Sequence, residues 1–274
     1  MAMQNNITGR VKIIFSDIDG TLLDSCHQIT DGTRNKIIEL EQKGIPFVLV
    51  SARMPEGVAS IRRQIGSHSP IISYSGGLIY DANRRILYSC LLELNHALKI
   101  KKVLETEFPR ICCNTYGYEK WIVDNADDPW VRREEAITGL NAAEGDIKKE
   151  FEEEGGIHKF LLMGEAKEIH NVEIWLRKDY PELSIALSNE NYLEVMHGSV
   201  KKSAGITYLC NYRGISLEEA MAFGDGHNDM DMLKVVKYGY AMGNAPKEVK
   251  ESAAFETLDN DHEGVLAVIK ELNE

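Results

Sequence analysis

The chain has 274 residues, 43% of them apolar and 27% charged, with a formal net charge of −12. That is enough apolar material for two domains. Without a long Lys/Arg block, the acidic balance argues against a nucleic-acid or anionic-membrane surface, where fixed cations neutralise phosphates. One small phosphorylated ligand stays compatible with it, because a bound cation and a few donors can invert the field locally.

The five cysteines, Cys26, Cys90, Cys112, Cys113 and Cys210, are odd in number, scattered and without a CxxC pair. This fits free thiols in a reducing compartment better than a disulfide framework or a zinc site. Met1–Arg10 is polar and lacks the apolar stretch of a signal peptide. The apolar run Ile45–Val50 is too short to span a bilayer. The expected location is cytoplasmic.

In chain order, Val11–Phe15 is a short β-branched run and reads as a buried strand. Thr33, Ile37 and Leu40 recur at helical spacing, and Gly44 stands at the C-terminal cap position. Ile45–Val50 has the continuous apolar character of a parallel strand covered on both faces. Pro55–Ile65 predicts a helix and Ile71–Tyr74 a third strand. This alternation is the signature of a doubly wound, mainly parallel α/β sheet.

The same rhythm resumes near the C-terminus. A helix is predicted from Lys202 to about Tyr212, a strand over Ala220–Phe223, and a helix from about Asn228 to Val235. A strand at Tyr238–Met242, a helix after Pro246 and a final amphipathic helix over Gly264–Leu272 follow. Between the two halves, strand candidates lie at Ile86–Ser89, Ile111–Tyr116, Trp121–Val123, Ile157–Met163 and Ser184–Ser188. This middle part reads as an inserted α/β domain over 84–188, with 1–83 and 189–274 forming the core.

Four segments carry chemistry. Directly after the first strand comes Phe15-Ser16-Asp17-Ile18-Asp19-Gly20-Thr21-Leu22-Leu23. In an open parallel sheet, ligands bind beyond the carboxyl ends of the strands. Two carboxylates at i and i+2 in that place offer a nucleophile and a proton-transfer group. An isolated Asp-Gly is commonly a turn, but a strand-terminal Asp-x-Asp-Gly-Thr-Leu is far more restrictive. Ser51 ends the second strand, where its hydroxyl suits a phosphoryl oxygen. Lys201-Lys202 opens a helix, and an ammonium there can balance a phosphoryl group and a carboxylate. The fourth segment is Gly224-Asp225-Gly226-His227-Asn228-Asp229, in which Asp225 and Asp229 are oxygen donors suited to Mg²⁺. His227 is set aside, since hard oxygen sites rarely recruit imidazole.

Together Asp17-x-Asp19, Ser51, Lys202 and Asp225…Asp229 resemble the ordered motifs of the haloacid dehalogenase-like hydrolase superfamily. Gly205-Ile206 and Leu209 follow Lys202 as in the family pattern, which selects Lys202 over Lys201. Ala241-Met242-Gly243-Asn244-Ala245 and Glu263-Gly264-Val265 are similar to the Cof-type branch. The long interval between Ser51 and Lys202 places the inserted cap after the second motif, as in class IIB members. Two positions depart from the pattern: Ser75-Gly76-Gly77 stands for Asn-Gly-Ala, and Ser203 replaces the glycine after the motif lysine.

The resemblance implies a Rossmann-like core with an α/β cap and an Mg²⁺-dependent phosphatase acting on small phosphorylated metabolites. Asp17 is then the nucleophile and Asp19 the acid/base, with Ser51 and Lys202 also catalytic. Gly20, Ser51, Lys202 and Asn228 bind substrate. Asp17, the carbonyl of Asp19, Asp225 and Asp229 hold the metal, Asp229 either directly or in support. Trp121, Trp130, Arg132, Arg133 and Asp124–Asp128 are candidates for the cap's inner face, without assigned roles. Alternatives are a sugar-phosphate-specific phosphatase or phosphomannomutase-like enzyme of the same superfamily, and a non-catalytic, receiver-like phosphate-binding module. Oligomeric state is left open.

Overall fold

The computed structural model describes residues 10–273, so the polar stretch before Arg10 lies outside the described residues. The chain divides into two units. Among the described residues, one comprises 10–53, Val58–Tyr88 and 201–273; the other comprises Met54–Gly57 and Ser89–Val200.

The first unit is built on an eight-stranded sheet. Its N-terminal half runs β1 (Ile13–Ser16), α1 (Asp31–Gln42), β2 (Phe47–Val50), α2 (Pro55–Ile65), β3 (Ile71–Ser73), β4 (Leu78–Tyr80) and β5 (Ile86–Ser89). Its C-terminal half runs α3 (Lys202–Arg213), β6 (Ala220–Gly224), α4 (Met230–Val235), β7 (Tyr238–Ala241), α5 (Lys247–Ser252), β8 (Phe255–Glu256) and α6 (Gly264–Ile269). The strand order is β8-β7-β6-β1-β2-β3-β4-β5. The pairs from β8 through to β3 are parallel, and β4 returns antiparallel to β3. The order reverses at β1, which lies between β2 and β6; a crevice beyond the carboxyl ends at such a point is where doubly wound sheets bind ligands.

The local reasons are visible in the residues. β1 and β2 are buried along their whole length, so they show continuous apolar character rather than alternation. Ile13, Phe15, Val48, Val50, Ala220 and Ala222 join Ile206 and Leu209 of α3 and Met232 and Leu233 of α4 in one core cluster. Ile14 and Phe47, pointing the other way, are equally buried. Thr30 caps α1 by accepting from the Thr33 N–H, and Gly44, at φ +85°, follows the helix in the left-handed region.

The second unit carries a six-stranded, mostly antiparallel sheet. Its spatial order is Ser184–Asn189, Tyr192–Met196, Lys159–Met163, Cys112–Gly117, Lys120–Val123 and Ala143–Glu144. Helices Leu94–Glu107 and Ala166–Asp179 bring Ile100, Leu104, Val172 and Leu176 against Phe160, Leu162, Leu193 and Val195. Tyr192–Met196 was not expected as a strand of this sheet. A cut between 188 and 189 falls inside the strand Ser184–Asn189, which pairs with Tyr192–Met196, and the chain divides after Val200. Cys112 and Cys113 lie on opposite faces: Cys113 packs against the helix-covered core, while Cys112 accepts from Asn114 Nδ2. All five cysteines are unpaired.

Among the other residues considered for this unit, Trp121 is buried and stacked on Tyr116, with centroids 5.3 Å apart. Arg132 pairs with Asp127 and Glu135, and Lys101 with Asp124. No helix among the described residues is long and apolar enough to cross a membrane.

Candidate active site

Three neighbouring strands end at one level. Ser16 pairs in register with Phe223 of β6 and Leu49 of β2. Asp17, Asp225 and Ser51 therefore follow the carboxyl ends of adjacent strands. The Asp17 N–H donates to the Phe223 carbonyl at 3.0 Å, which extends the ladder one step and fixes the nucleophile candidate's backbone.

The side chains converge. Lys202 Nζ donates to Asp17 Oδ1 at 2.6 Å and to Asp229 Oδ1 at 2.5 Å. Lys202 is 1% exposed and Asp229 0%, so the ammonium joins segments 185 residues apart inside the protein. The neighbouring Lys201 is exposed, which separates the two lysines physically. Asp229 Oδ2 accepts from the N–H groups of Asp225 and Gly226, at 3.0 and 2.8 Å. Both Asp229 oxygens are thus engaged, and the loop after β6 is folded around them. The Thr21 hydroxyl donates to Asp225 Oδ1 at 2.6 Å.

Glycine makes this approach possible at Gly20. Its φ is +76°, and a Cβ there would stand 2.5 Å from Asp225 Oδ2. The loop carrying Asp19-Gly20 therefore passes directly against the Asp225 carboxylate. Asn244 Nδ2 donates to the Gly20 carbonyl at 2.8 Å and holds the same turn from β7's side.

Charge is concentrated here. Carboxylate oxygens of Asp17, Asp225 and Asp229 lie within 4.8 Å of one another. Burial pushes the Asp17 carboxyl up to about 8; Lys202 opposes this and Asp229 adds to it. Burial also raises Asp225, against the pull of the Thr21 hydroxyl. Burial alone would lower Lys202, but the two carboxylates hold it above its ordinary value. Three carboxylates and one ammonium leave a formal charge of −2 when all are ionised. A hard divalent cation neutralises that charge, and an all-oxygen donor set is the chemistry Mg²⁺ prefers.

A family model for haloacid dehalogenase-like hydrolases matches residues 14–269. The chain belongs to this family. Among its relatives, a Haemophilus influenzae protein named "Putative phosphatase" is 37% identical over 95% of this chain and 97% of its own length. A Bacillus subtilis 5-amino-6-(5-phospho-D-ribitylamino)uracil phosphatase is 28% identical, over 95% of each chain. The crystal structure of a haloacid dehalogenase-like hydrolase from Bacteroides thetaiotaomicron superposes with a TM-score of 0.87 at 28% identity, covering 96% of this chain and 99% of that one. Family and relatives together make the chain an enzyme of the phosphatase kind.

In this hydrolase, the sequence-predicted residues do not all meet. Asp17, Lys202, Asp225 and Asp229 form one cluster, buried except for the half-buried Asp225, with Gly20 against it. Ser51 is buried at the end of β2, where its Oγ accepts from the Arg53 N–H at 3.2 Å. Asn228 is exposed on the loop after β6. The Asp19 side chain stands outside the carboxylate cluster: its two oxygens accept from Arg53 Nε and Nη2, at 2.9 and 2.6 Å. Sequence reasoning missed Arg53, Thr21 and Asn244. Arg53 follows Ser51 by two residues and Thr21 lies inside the first motif, so position was the available signal; the partners were not legible.

Proposed function

We propose that this hydrolase is an Mg²⁺-dependent phosphatase that cleaves small phosphorylated metabolites by way of a phosphoryl group carried on Asp17. The observation that carries this reading is Asp17 itself. It is a buried carboxylate at the switch point, with one oxygen held by Lys202 at 2.6 Å and two further carboxylates beside it.

On this reading the free oxygen of Asp17 attacks phosphorus; an Asp17–O–P bond forms as the ester P–O bond breaks. Asp19 gives a proton to the leaving alkoxide. It then takes one from the water that attacks the acyl phosphate, which releases inorganic phosphate and restores Asp17. The Ser51 hydroxyl, Lys202 and the N–H groups around Asp19-Gly20 bind the phosphoryl oxygens, and Asn228 contacts substrate from the exposed loop. Asp17 and Asp225, with the carbonyl of Asp19, would hold Mg²⁺. Asp229, whose oxygens are already engaged by Lys202 and two N–H groups, supports the loop and the lysine. When bound, the ion supplies screening between Asp17 and an anionic substrate and stabilises charge on the transferring group.

The small-metabolite class is supported by the Bacillus subtilis relative, whose name gives a phosphorylated ribitylaminouracil as its substrate. The testing experiment is a panel of sugar phosphates and phosphorylated cofactors assayed for phosphate release with Mg²⁺, after chelation, and with Asp17→Asn. Release that needs both the metal and Asp17 is the expected result. Release that persists in Asp17→Asn overturns the mechanism.

A further inference from the structure

Asp19 and Arg53 come from different loops, after β1 and after β2, and meet in a two-pronged ion pair. Nε donates to Oδ2 at 2.9 Å and Nη2 to Oδ1 at 2.6 Å. A planar guanidinium bound in this way fixes the plane of the carboxylate as well as its position. Asp19 is otherwise loosely held, being 44% exposed, with His27 Nδ1 at 3.9 Å on a side chain 77% exposed. A half-exposed carboxylate on a short stem samples several rotamers unless something selects one.

The base of Arg53 is suited to that selection. Its N–H donates to Ser51 Oγ, and its carbonyl accepts from the Tyr74 N–H at 3.1 Å. Tyr74 is fully buried with φ +49°, and the Ser75 N–H donates to the Ser51 carbonyl at 2.9 Å. The arginine is therefore mounted on backbone tied down on both sides, and the same tie passes through Ser51.

We infer that Arg53 is a positioning residue for Asp19, aiming the carboxyl group that protonates the leaving oxygen. This rests on the reading of Asp19 as proton donor. Arg53 makes no bond to phosphorus and acts through the aspartate alone.

A misaimed acid matters only where the leaving group needs a proton. An alkoxide departs poorly without one, whereas nitrophenolate departs unaided. The test measures kcat/KM, which reports phosphoenzyme formation, for an alkyl phosphate and for p-nitrophenyl phosphate. Wild type, Arg53→Ala, Arg53→Lys and Asp19→Asn are compared. Displacing a catalytic group by about 1 Å costs on the order of 100-fold. Arg53→Ala is expected to lose about that factor more on the alkyl ester than on the nitrophenyl ester. Arg53→Lys, which keeps the charge but not the fork, is expected to restore little of it. Activity on the nitrophenyl ester reports that each variant is folded. Equal losses on the two esters in Arg53→Ala, with leaving-group dependence intact in Asp19→Asn, overturn the inference alone. If Asp19→Asn itself shows no leaving-group dependence, the reading of Asp19 falls and this inference with it.

Discussion

On the proposed mechanism Asp17 must be ionised to attack phosphorus, yet its surroundings favour the protonated form, with the carboxyl pushed up to about 8 by burial. The tension has a direction in pH. In the metal-free protein the folded state holds the Asp17 proton more tightly than the unfolded chain, whose ordinary value is 3.8. The associated stability is present below pH 3.8 and is lost as pH rises through about 8. A cation beside the carboxylate reverses the preference. Added MgCl₂ should therefore raise the melting temperature more at pH 8 than at pH 6 in scanning calorimetry; an equal rise at both would show that Asp17 does not couple to the metal. Asp17→Asn, near-isosteric and uncharged, should lose at least about a thousandfold in turnover while unfolding as cooperatively as wild type, checked by phosphate release and urea titration. At this scale the carboxylates and Lys202 were legible because they stand at strand ends and a helix start. Arg53 was not, because a pairing between two loops is a tertiary fact and one sequence offers many arginines for one aspartate.

The elements explain how Lys202 reaches the cluster. α3 begins against the turn after β3, where glycine meets glycine: a Cβ on Gly205 would stand 2.9 Å from Gly76 Cα. On Gly76, at φ +103°, a Cβ would stand 2.2 Å from the Lys201 carbonyl oxygen. Gly76→Ala must strain the turn or push away the start of the helix that carries Lys202. It should cost about 2 kcal/mol of stability and reduce turnover more than tenfold, measured by urea unfolding and phosphate release. Unchanged kinetics would mean that the helix start does not set the lysine. β1, β2, β3, β6 and β7 were readable because short continuous apolar runs bounded by turn and helix signals suit strands buried on both faces. The short β4 and β8 went unmarked, and Ile86–Ser89, expected in the inserted domain, pairs at the edge of this eight-stranded sheet as β5. Tyr192–Met196 was not readable: Leu-Glu-Val places a charge in mid-strand, and Glu194 is accommodated by Lys159 at 3.3 Å and Ser188 at 3.0 Å, partners that only pairing supplies. His227–Asp229 forms a 3₁₀ turn ahead of α4, so the predicted helix starts late, because Asp229 is folded back onto the loop it follows.

At the scale of the whole chain, one uninterrupted stretch, Ser89–Val200, makes up nearly all of the second unit. Its six-stranded sheet and helix-covered core draw on that stretch alone. Expressed by itself, it should melt in a single cooperative transition by circular dichroism; a gradual, non-cooperative loss of signal would show that it depends on the rest of the chain. The long interval between Ser51 and Lys202 pointed to a second unit, whereas its limits were not legible, since Ile86–Ser89 and Tyr192–Met196 reveal which sheet each joins only through pairing. The placement of β1 between β2 and β6 has a consequence for biosynthesis. A growing chain can zip β1 to β2 early, but the other edge of β1 stays bare until residue 224 has left the ribosome. The nascent polypeptide thus carries a naked hydrophobic edge through most of its synthesis and acquires catalytic competence only as its final portion emerges.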